Sequence, residues 1–387
     1  MRLLIAGGGT GGHIYPALAV ASSLRRLAGA AEIDWIGGRR GLEARLVREA
    51  GFPIRLLALR SLRSVERDVH LVLDPIRLAI SVPQAVWLLI RRRPAAIFTT
   101  GGYLAIPVLV AARLLGIPVV LWEGNVVPGR SVRATARLAR VVGVSFGATC
   151  QSLGAGRCYV TGTPIRDTSG VDRLAARARL GLGPADRMLL VFGGSQAVRT
   201  LNEAVAAALP RLVERCHLLQ VTGETAYAEA LSSRQALPEA LRPRYRPEPF
   251  LRDGMADALA AADLVVGRAG SSTLAEVAAF GLPMVVVPYP HAGGHQRANA
   301  EAFVAAGAAR LVEDEAFDAD ALLGAAAILD DPRAHAAMAA AARGLARPGA
   351  ADAVAELVLA LATRSPLPSP EEIARRAAAA PGTSVAA

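Results

Sequence analysis

The sequence predicts an α/β protein built from two doubly wound parallel sheets, and three observations carry that prediction. Short apolar runs alternate with helical stretches through the first half of the chain, the pattern of a parallel sheet with crossover helices. The pattern lapses in a polar, Pro/Gly-punctuated stretch at 163–187 and then restarts, and 387 residues are enough for two full cores. Strand ends run into glycines that open into helices, as in "GGGTGGHIYP" at 7–16 and "FGGSQ" at 192–196.

In chain order the first half offers strands at Leu3–Ala6, Glu32–Ile36, Ala96–Thr99, Pro118–Trp122, Val141–Val144 and Cys158–Val160. Helices fit Ala17–Ala28, Leu42–Ala50, Val108–Leu115 and Val132–Leu138. After the break, "RMLLVFGGSQAVRTLNEAV" is again strand, glycine turn and helix, and further strands fit His217–Thr222, Leu264–Val266 and Met284–Pro288. In the tail, Ser369 followed by Pro370 reads as a helix cap, but the Ala/Pro bias of 365–387 predicts a mostly loose segment. Two apolar stretches, 71–93 and 104–121, are interrupted by Asp74, Arg77 and Arg113 and by prolines, so neither is a clean membrane span. The first reads as a buried helix or as one lying on a membrane with Arg91, Arg92 and Arg93 at its edge.

The net charge is +10, carried on arginine alone, since the chain has no lysine. Residues 1–170 hold 22 arginines against nine acids, a net of +13, whereas residues 171–387 hold 21 against 24, a net of −3. The first half therefore favours an anionic partner. Only 4% of residues are aromatic and no stacking motif accompanies the arginines, which argues against nucleic acid and for an anionic membrane or a phosphorylated substrate. No secretory signal is visible, because the N-terminal apolar run leads straight into the glycine loop. Cys150, Cys158 and Cys216 are odd in number and lack a C-x-x-C, which predicts a reduced cytoplasmic setting without a disulfide framework or zinc.

Four clusters could carry chemistry. Gly7, Gly9 and Gly12 fit the G-x-G-x-x-G of dinucleotide enzymes. The acids of the next strand, Glu32 and Asp34, lie inside it rather than at its end, and arginines follow, so an NADP reading stays open beside a sugar-transfer one. Gly193, Gly194 and Ser195 open a second helix and favour a phosphate, or a simple cap by Ser195. In "GRAGSSTLAEVAAFGLP" Thr273 and Glu276 match a capping box, or Glu276 reaches a ribose diol. In "YPHAGGHQRANA" Gln296 and Asn299 are candidates to read sugar hydroxyls. Glycine-bearing turns at strand ends of both halves predict a cleft that holds a nucleotide diphosphate. The one Asp-x-Asp, Asp318-Ala-Asp320, precedes a helical run and reads as a cap rather than a metal site.

Taken in order, "GGGTGGHIYPALAVA", "GGRRGLEARLVREAGFP", "TTGGYLAIP", "WEGN", "TGTPIR", "FGGSQ", "GRAGSSTLAEVAAFGLP" and "HQRANA" resemble the MurG family of N-acetylglucosaminyltransferases, from about Arg2 to about Leu361. The resemblance implies a GT-B fold, two Rossmann-like domains facing a cleft. It implies an N-terminal acceptor- and membrane-side domain at 1–164, a UDP-GlcNAc-binding domain at 165–345, and a helix at 346–364 returning to the N-terminal domain. It implies an inverting transfer of GlcNAc from UDP-GlcNAc to the C4 hydroxyl of the MurNAc of lipid I, giving lipid II for peptidoglycan synthesis, without metal or other cofactor. The implied place is the cytoplasmic face of the cell membrane, attached peripherally, with other cell-wall synthesis proteins as further partners. Rival readings are another GT-B enzyme, such as a UDP-GlcNAc epimerase or a glycolipid glycosyltransferase, an NADP-dependent oxidoreductase, and a non-catalytic nucleotide-sugar-binding protein.

Carried over by position, Thr10, Gly11 and Gly12 fall on the family's first glycine loop and Asn125 on its asparagine. Arg166 and Ser195 fall on the diphosphate side, and Leu251 falls where backbone meets uracil. Ser271, Ser272, Thr273, Leu274, Ala275 and Glu276 form the nucleotide-binding helix start, with Glu276 on the ribose, and Gln296 reads GlcNAc. Trp122 stands where the family has histidine, Leu104-Ala105-Ile106 departs from its second glycine motif, and Thr163 replaces an asparagine. His13, at the tip of a glycine turn in the basic half, is the candidate general base, with Glu123 as its competitor.

Overall fold

The computed structural model describes residues 1–40, 42–60, 70–154, 156–193, 199–251 and 254–383. The chain divides into two compact units, one of Met1–Asp167 with Arg347–Ala387, the other of Thr168–Ala346.

Among the described residues the first unit holds seven strands: β1 (Arg2–Ala6), β2 (Glu32–Arg40), β3 (Ile54–Arg60), β4 (Ala96–Thr99), β5 (Val119–Glu123), β6 (Val141–Val144) and β7 (Cys158–Val160). They pair in the order β3-β2-β1-β4-β5-β6-β7, and every pairing is parallel. The apolar run of β1 is continuous because both faces are covered. Leu3 and Ile5 pack with Val20 and Leu24 and with Val354 and Val358. Leu4 and Ala6 face the other layer, with Val108, Leu109 and Ala112.

The second unit repeats the plan with β8 (Met188–Phe192), β9 (His217–Val221), β10 (Tyr245–Glu248), β11 (Leu264–Gly267), β12 (Met284–Val286) and β13 (Ala309–Leu311). Their order is β10-β9-β8-β11-β12-β13, again all parallel. In each sheet the winding reverses beside the first strand, between β1 and β4 and between β8 and β11. Such switch points leave a crevice at the carboxyl ends of the strands, where doubly wound folds bind ligands.

The structure corrects several expectations. The first helix runs Gly11–Leu27, starting in the glycines rather than at Ala17, with Thr10 extended as its N-cap. The tail is not loose. Pro370–Ala378 is a helix started by a full capping box of Ser369 and Glu372. Its Ile373 and Ala377 are completely buried, and its Arg376 pairs with Glu356 at 2.8 Å and Asp352 at 3.4 Å. Asp352, on the helix Ala350–Thr363, also pairs with Arg26 and accepts from the Gly382 amide at 3.0 Å. Both C-terminal helices thus belong to the first unit.

The expectation of no disulfide also fails. Cys150 and Cys158 form a disulfide, with Cα atoms 5.8 Å apart, between the helix Gly147–Leu153 and β7. The odd cysteine count is no argument against it, because the leftover thiol, Cys216, is buried in the other unit. Among the described residues no helix is long and apolar enough to cross a membrane, and no three His, Cys, Asp or Glu side chains are grouped to hold a metal. Asp318 caps the helix Ala319–Ala326 by accepting from the Ala321 amide, as its position in the sequence predicts.

Candidate functional site

At the first switch point the chain leaves β1 through Gly7, Gly8 and Gly9, and Gly9 adopts φ +97°. The Thr10 carbonyl accepts from the amides of His13 and Ile14 at 3.1 Å, which fixes the first turn of the helix. Thr100, just beyond β4, holds the same turn from the other side. Its carbonyl oxygen lies 2.9 Å from His13 Nδ1, and its hydroxyl donates to the His13 carbonyl at 3.0 Å. A carbonyl only accepts, so Nδ1 carries the hydrogen and a neutral His13 ring keeps its lone pair on Nε2. Nε2 faces the turn at Gly101 and Gly102, whose φ values are +74° and +79°. A Cβ on Gly102 would stand 3.6 Å from Nε2.

A carboxylate that the sequence did not single out completes this loop. Glu43 is fully buried, and its two oxygens accept from the amides of Gly9 and Gly38, each at 3.0 Å. It therefore joins the loop after β1 to the carboxyl-end half of β2. Arg166 is exposed, with its guanidinium 5.7 Å from the Tyr15 ring on the first helix.

Beyond β5, Glu123 is buried and works as a loop organiser. One oxygen accepts from the Asn125 amide at 2.9 Å and from its side-chain Nδ2 at 2.8 Å, and the other accepts from the Gly129 amide at 3.0 Å. Thr149 donates to the carbonyl of Asn125 at 2.9 Å from the helix that carries the disulfide. Trp122 is buried and donates to the Gly162 carbonyl at 3.0 Å, so it serves packing. Thr163 meets Ser145 at 2.7 Å, and Leu104 is buried.

In the second unit the helix Ser271–Ala279 opens at the carboxyl end of β11. Its N-cap is Gly270, so the amides of Ser271, Ser272 and Thr273 have neither an intrahelical partner nor a side-chain cap. The Ser272 hydroxyl is buried without a partner in the protein. The capping-box expectation fails, since Thr273 and Glu276 both sit inside the helix, Glu276 half-buried on its second turn. Leu274 is buried and Ala275 half-buried.

Gln296, in the first turn of the helix His295–Ala305, accepts on Oε1 from the amides of Ala269 at 3.2 Å and Tyr289 at 2.9 Å. That pairing settles the orientation of the amide and presents Nε2 as its donor. Asn299 is fully buried and donates to the Ala269 carbonyl at 3.1 Å, so it braces the loop rather than reading a sugar. Leu251 is half-buried after β10, and Ser195 lies outside the described residues.

Residues 3–144 match the glycosyltransferase family 28 N-terminal domain, and residues 188–357 match the family 28 C-terminal domain. A UDP-N-acetylglucosamine–N-acetylmuramyl-(pentapeptide) pyrophosphoryl-undecaprenol N-acetylglucosamine transferase of Moorella thermoacetica is 40% identical over 93% of this chain and 98% of the relative. The enzyme of the same name from Methylococcus capsulatus is 39% identical over 92% of this chain and 98% of its own. The chain belongs to glycosyltransferase family 28, among the MurG enzymes. The crystal structure of Acinetobacter baumannii MurG superposes with a TM-score of 0.73 at 30% identity, over 92% of this chain and 99% of that one. The fold is accordingly GT-B, with both halves of the family 28 architecture present.

Within that family frame, the structure gathers Thr10, Gly11, Gly12 and His13 on one helix start of the first unit. It gathers Ser271–Glu276 with Gln296 in the second, through the shared Ala269 segment. Sequence reasoning missed Glu43 and Thr100. The available signal was the glycine pair 37–38 at the end of a strand predicted beside β1, which calls for something bulky to fill the space between them.

Proposed function

We propose that this chain transfers GlcNAc from UDP-GlcNAc to the C4 hydroxyl of the MurNAc of lipid I, giving lipid II. The observation that carries the reading is the near-full-length relation, at 40% identity, to enzymes named for that transfer. On this reading the acceptor hydroxyl gives its proton to Nε2 of His13 as its oxygen attacks the anomeric carbon. The bond from that carbon to the UDP oxygen breaks on the opposite face, which inverts the configuration. The uncapped amides of Ser271–Thr273, the Ser272 hydroxyl and Arg166 receive the charge that develops on the departing diphosphate, and Ser195 joins them. Glu276 takes the ribose diol, Gln296 Nε2 a GlcNAc hydroxyl, and Leu251 supplies backbone to uracil. Thr10, Gly11, Gly12 and Asn125 face the sugars. Glu123 is a poor rival base because both its oxygens already accept backbone hydrogen bonds.

The same reading places the protein peripherally on the cytoplasmic face of the membrane, through the first unit. On the helix His70–Arg92, Ile80, Trp87 and Ile90 are each about half exposed at helical spacing, and Arg91 stacks over Trp87 at 4.4 Å. An apolar stripe edged with arginine suits an anionic lipid surface.

Radiolabelled UDP-GlcNAc and a lipid I analogue test the chemistry. Label in a lipid-linked disaccharide supports it, and label in a different nucleotide sugar without acceptor would replace it with epimerisation. For the membrane, co-sedimentation should require anionic vesicles and fall with salt. Equal binding to neutral vesicles removes that part.

A further inference from the structure

A glycine loop after the first strand of a Rossmann-like unit ordinarily leaves its amides open for a phosphate. Here one of them is already taken from within. Glu43 is fully buried and accepts from the Gly9 amide, where φ is +97°, and from Gly38 on the neighbouring strand. The surrounding glycines are shaped to this side chain. A Cβ on Gly8 would lie 2.7 Å from the Glu43 carboxyl carbon and 2.8 Å from Leu104. One on Gly37 would lie 2.8 Å from Glu43 Cγ, and one on Gly38 2.9 Å from Leu104. The side chain of Leu104 thus fills the space beside the carboxylate and keeps it dry, where an ionic hydrogen bond is strongest.

We propose that Glu43 is a positioning residue for the transfer, an internal anion that holds the β1 loop so that His13 faces the acceptor. This rests on the reading of His13 as the base. The connection is short. Glu43 fixes Gly9, the next residue caps the helix, and its carbonyl takes the His13 amide at 3.1 Å. Thr100 then sets the ring.

Glu43→Gln keeps the shape but turns an NH₂ toward one of the two amides, so the loop loosens. Misplacement of a catalytic group by about 1 Å costs on the order of 10²-fold, and a loosened loop should cost about tenfold in kcat. UDP affinity should stay within twofold, as should KM for UDP-GlcNAc. A double-mutant cycle separates positioning from general folding. In a His13→Ala background Glu43→Gln should change the residual rate less than twofold, because its effect passes through the absent ring. An equal loss in both backgrounds overturns the proposal, as does wild-type kcat in Glu43→Gln or a parallel fall in UDP affinity. If Glu43→Gln does not fold, Leu104→Ala, which opens the packing beside the carboxylate, should show the same split, and its absence overturns the proposal. A His13→Ala enzyme with full kcat sinks the reading of the base instead, whatever Glu43→Gln does.

Discussion

Gln296 lends itself to a substitution that separates its two tasks. Its Oε1 accepts from the Ala269 and Tyr289 amides, and the Ala269 residue is completely buried. Its Nε2 is the group offered to the sugar. Gln296→Glu retains an acceptor oxygen for both amides and removes the donor. The expected loss is that of one hydrogen bond to a neutral hydroxyl, about 0.5–1.5 kcal/mol, or roughly two- to twelvefold in affinity. Gln296→Ala instead strands two amides, at about 1–3 kcal/mol each for a buried group, and should lower stability as well. Calorimetric titration with UDP-GlcNAc and with UDP reads the difference. Gln296→Glu should lose more affinity for UDP-GlcNAc than the added negative charge takes from UDP, the excess being what GlcNAc contributes. If UDP binding falls by the same factor as UDP-GlcNAc binding, or if neither changes, Gln296 does not read the sugar.

Four further outcomes follow from other contacts. Asp352→Asn should destabilise the protein by about 3–5 kcal/mol, the cost of breaking a buried ion pair, measured by urea unfolding at neutral pH. Burial pushes the Asp352 carboxyl up, but the Gly382 amide, Ser23 and the Arg26 and Arg376 guanidiniums outweigh it and hold it below the usual carboxylate range. Its contribution is therefore present above the unfolded carboxylate value and lost as pH falls through the lowered folded one, so the two unfolding curves should converge only in strong acid. Reduction of Cys150–Cys158 should cost about 2.5 kcal/mol on the chain-entropy scale for so short a loop, and a melting temperature unmoved by a thiol reductant would contradict the bond. Burial raises the Cys216 thiol to about 11, so maleimide should label it at neutral pH only after unfolding. Trp122→Phe should cost about 0.5–1.5 kcal/mol by removing one of the two hydrogen bonds that the Gly162 carbonyl accepts, the other coming from the Thr161 hydroxyl at 3.0 Å, with UDP binding unchanged by fluorescence titration.

The central strands were legible because burial on both faces writes them as continuous apolar runs. β1, β4, β6 and β8 are as plain in the sequence as in the fold. The three strands that escaped notice, β3, β10 and β13, all lie at sheet edges. An edge strand is less enclosed and tolerates arginine and proline, as in "YRPE" at 245–248. The donor-side helix start was legible from glycine and serine placement, but its cap was misassigned to Thr273, because a capping box and a bare glycine cap share these letters. Glu43 was hidden for a different reason. Nothing local distinguishes a glutamate at the start of a short helix from a solvated one, and its role appears only when β2 brings it to the β1 loop. The disulfide and the packed tail were misread from composition, which does not report what the chain folds against.

The return of the last helices to the first unit bears on the order in which the protein can mature on the ribosome. The helix Ala350–Thr363 covers the face of the sheet formed by Leu3 and Ile5. The residues that complete the first unit are therefore synthesised after the whole of the second unit, which is contiguous, at Thr168–Ala346. A nascent chain released at residue 346 would hold a finished second unit beside a sheet with one greasy side bare, the kind of surface that recruits chaperones or aggregates. The basic half of the protein thus becomes whole only after its partner half has been made.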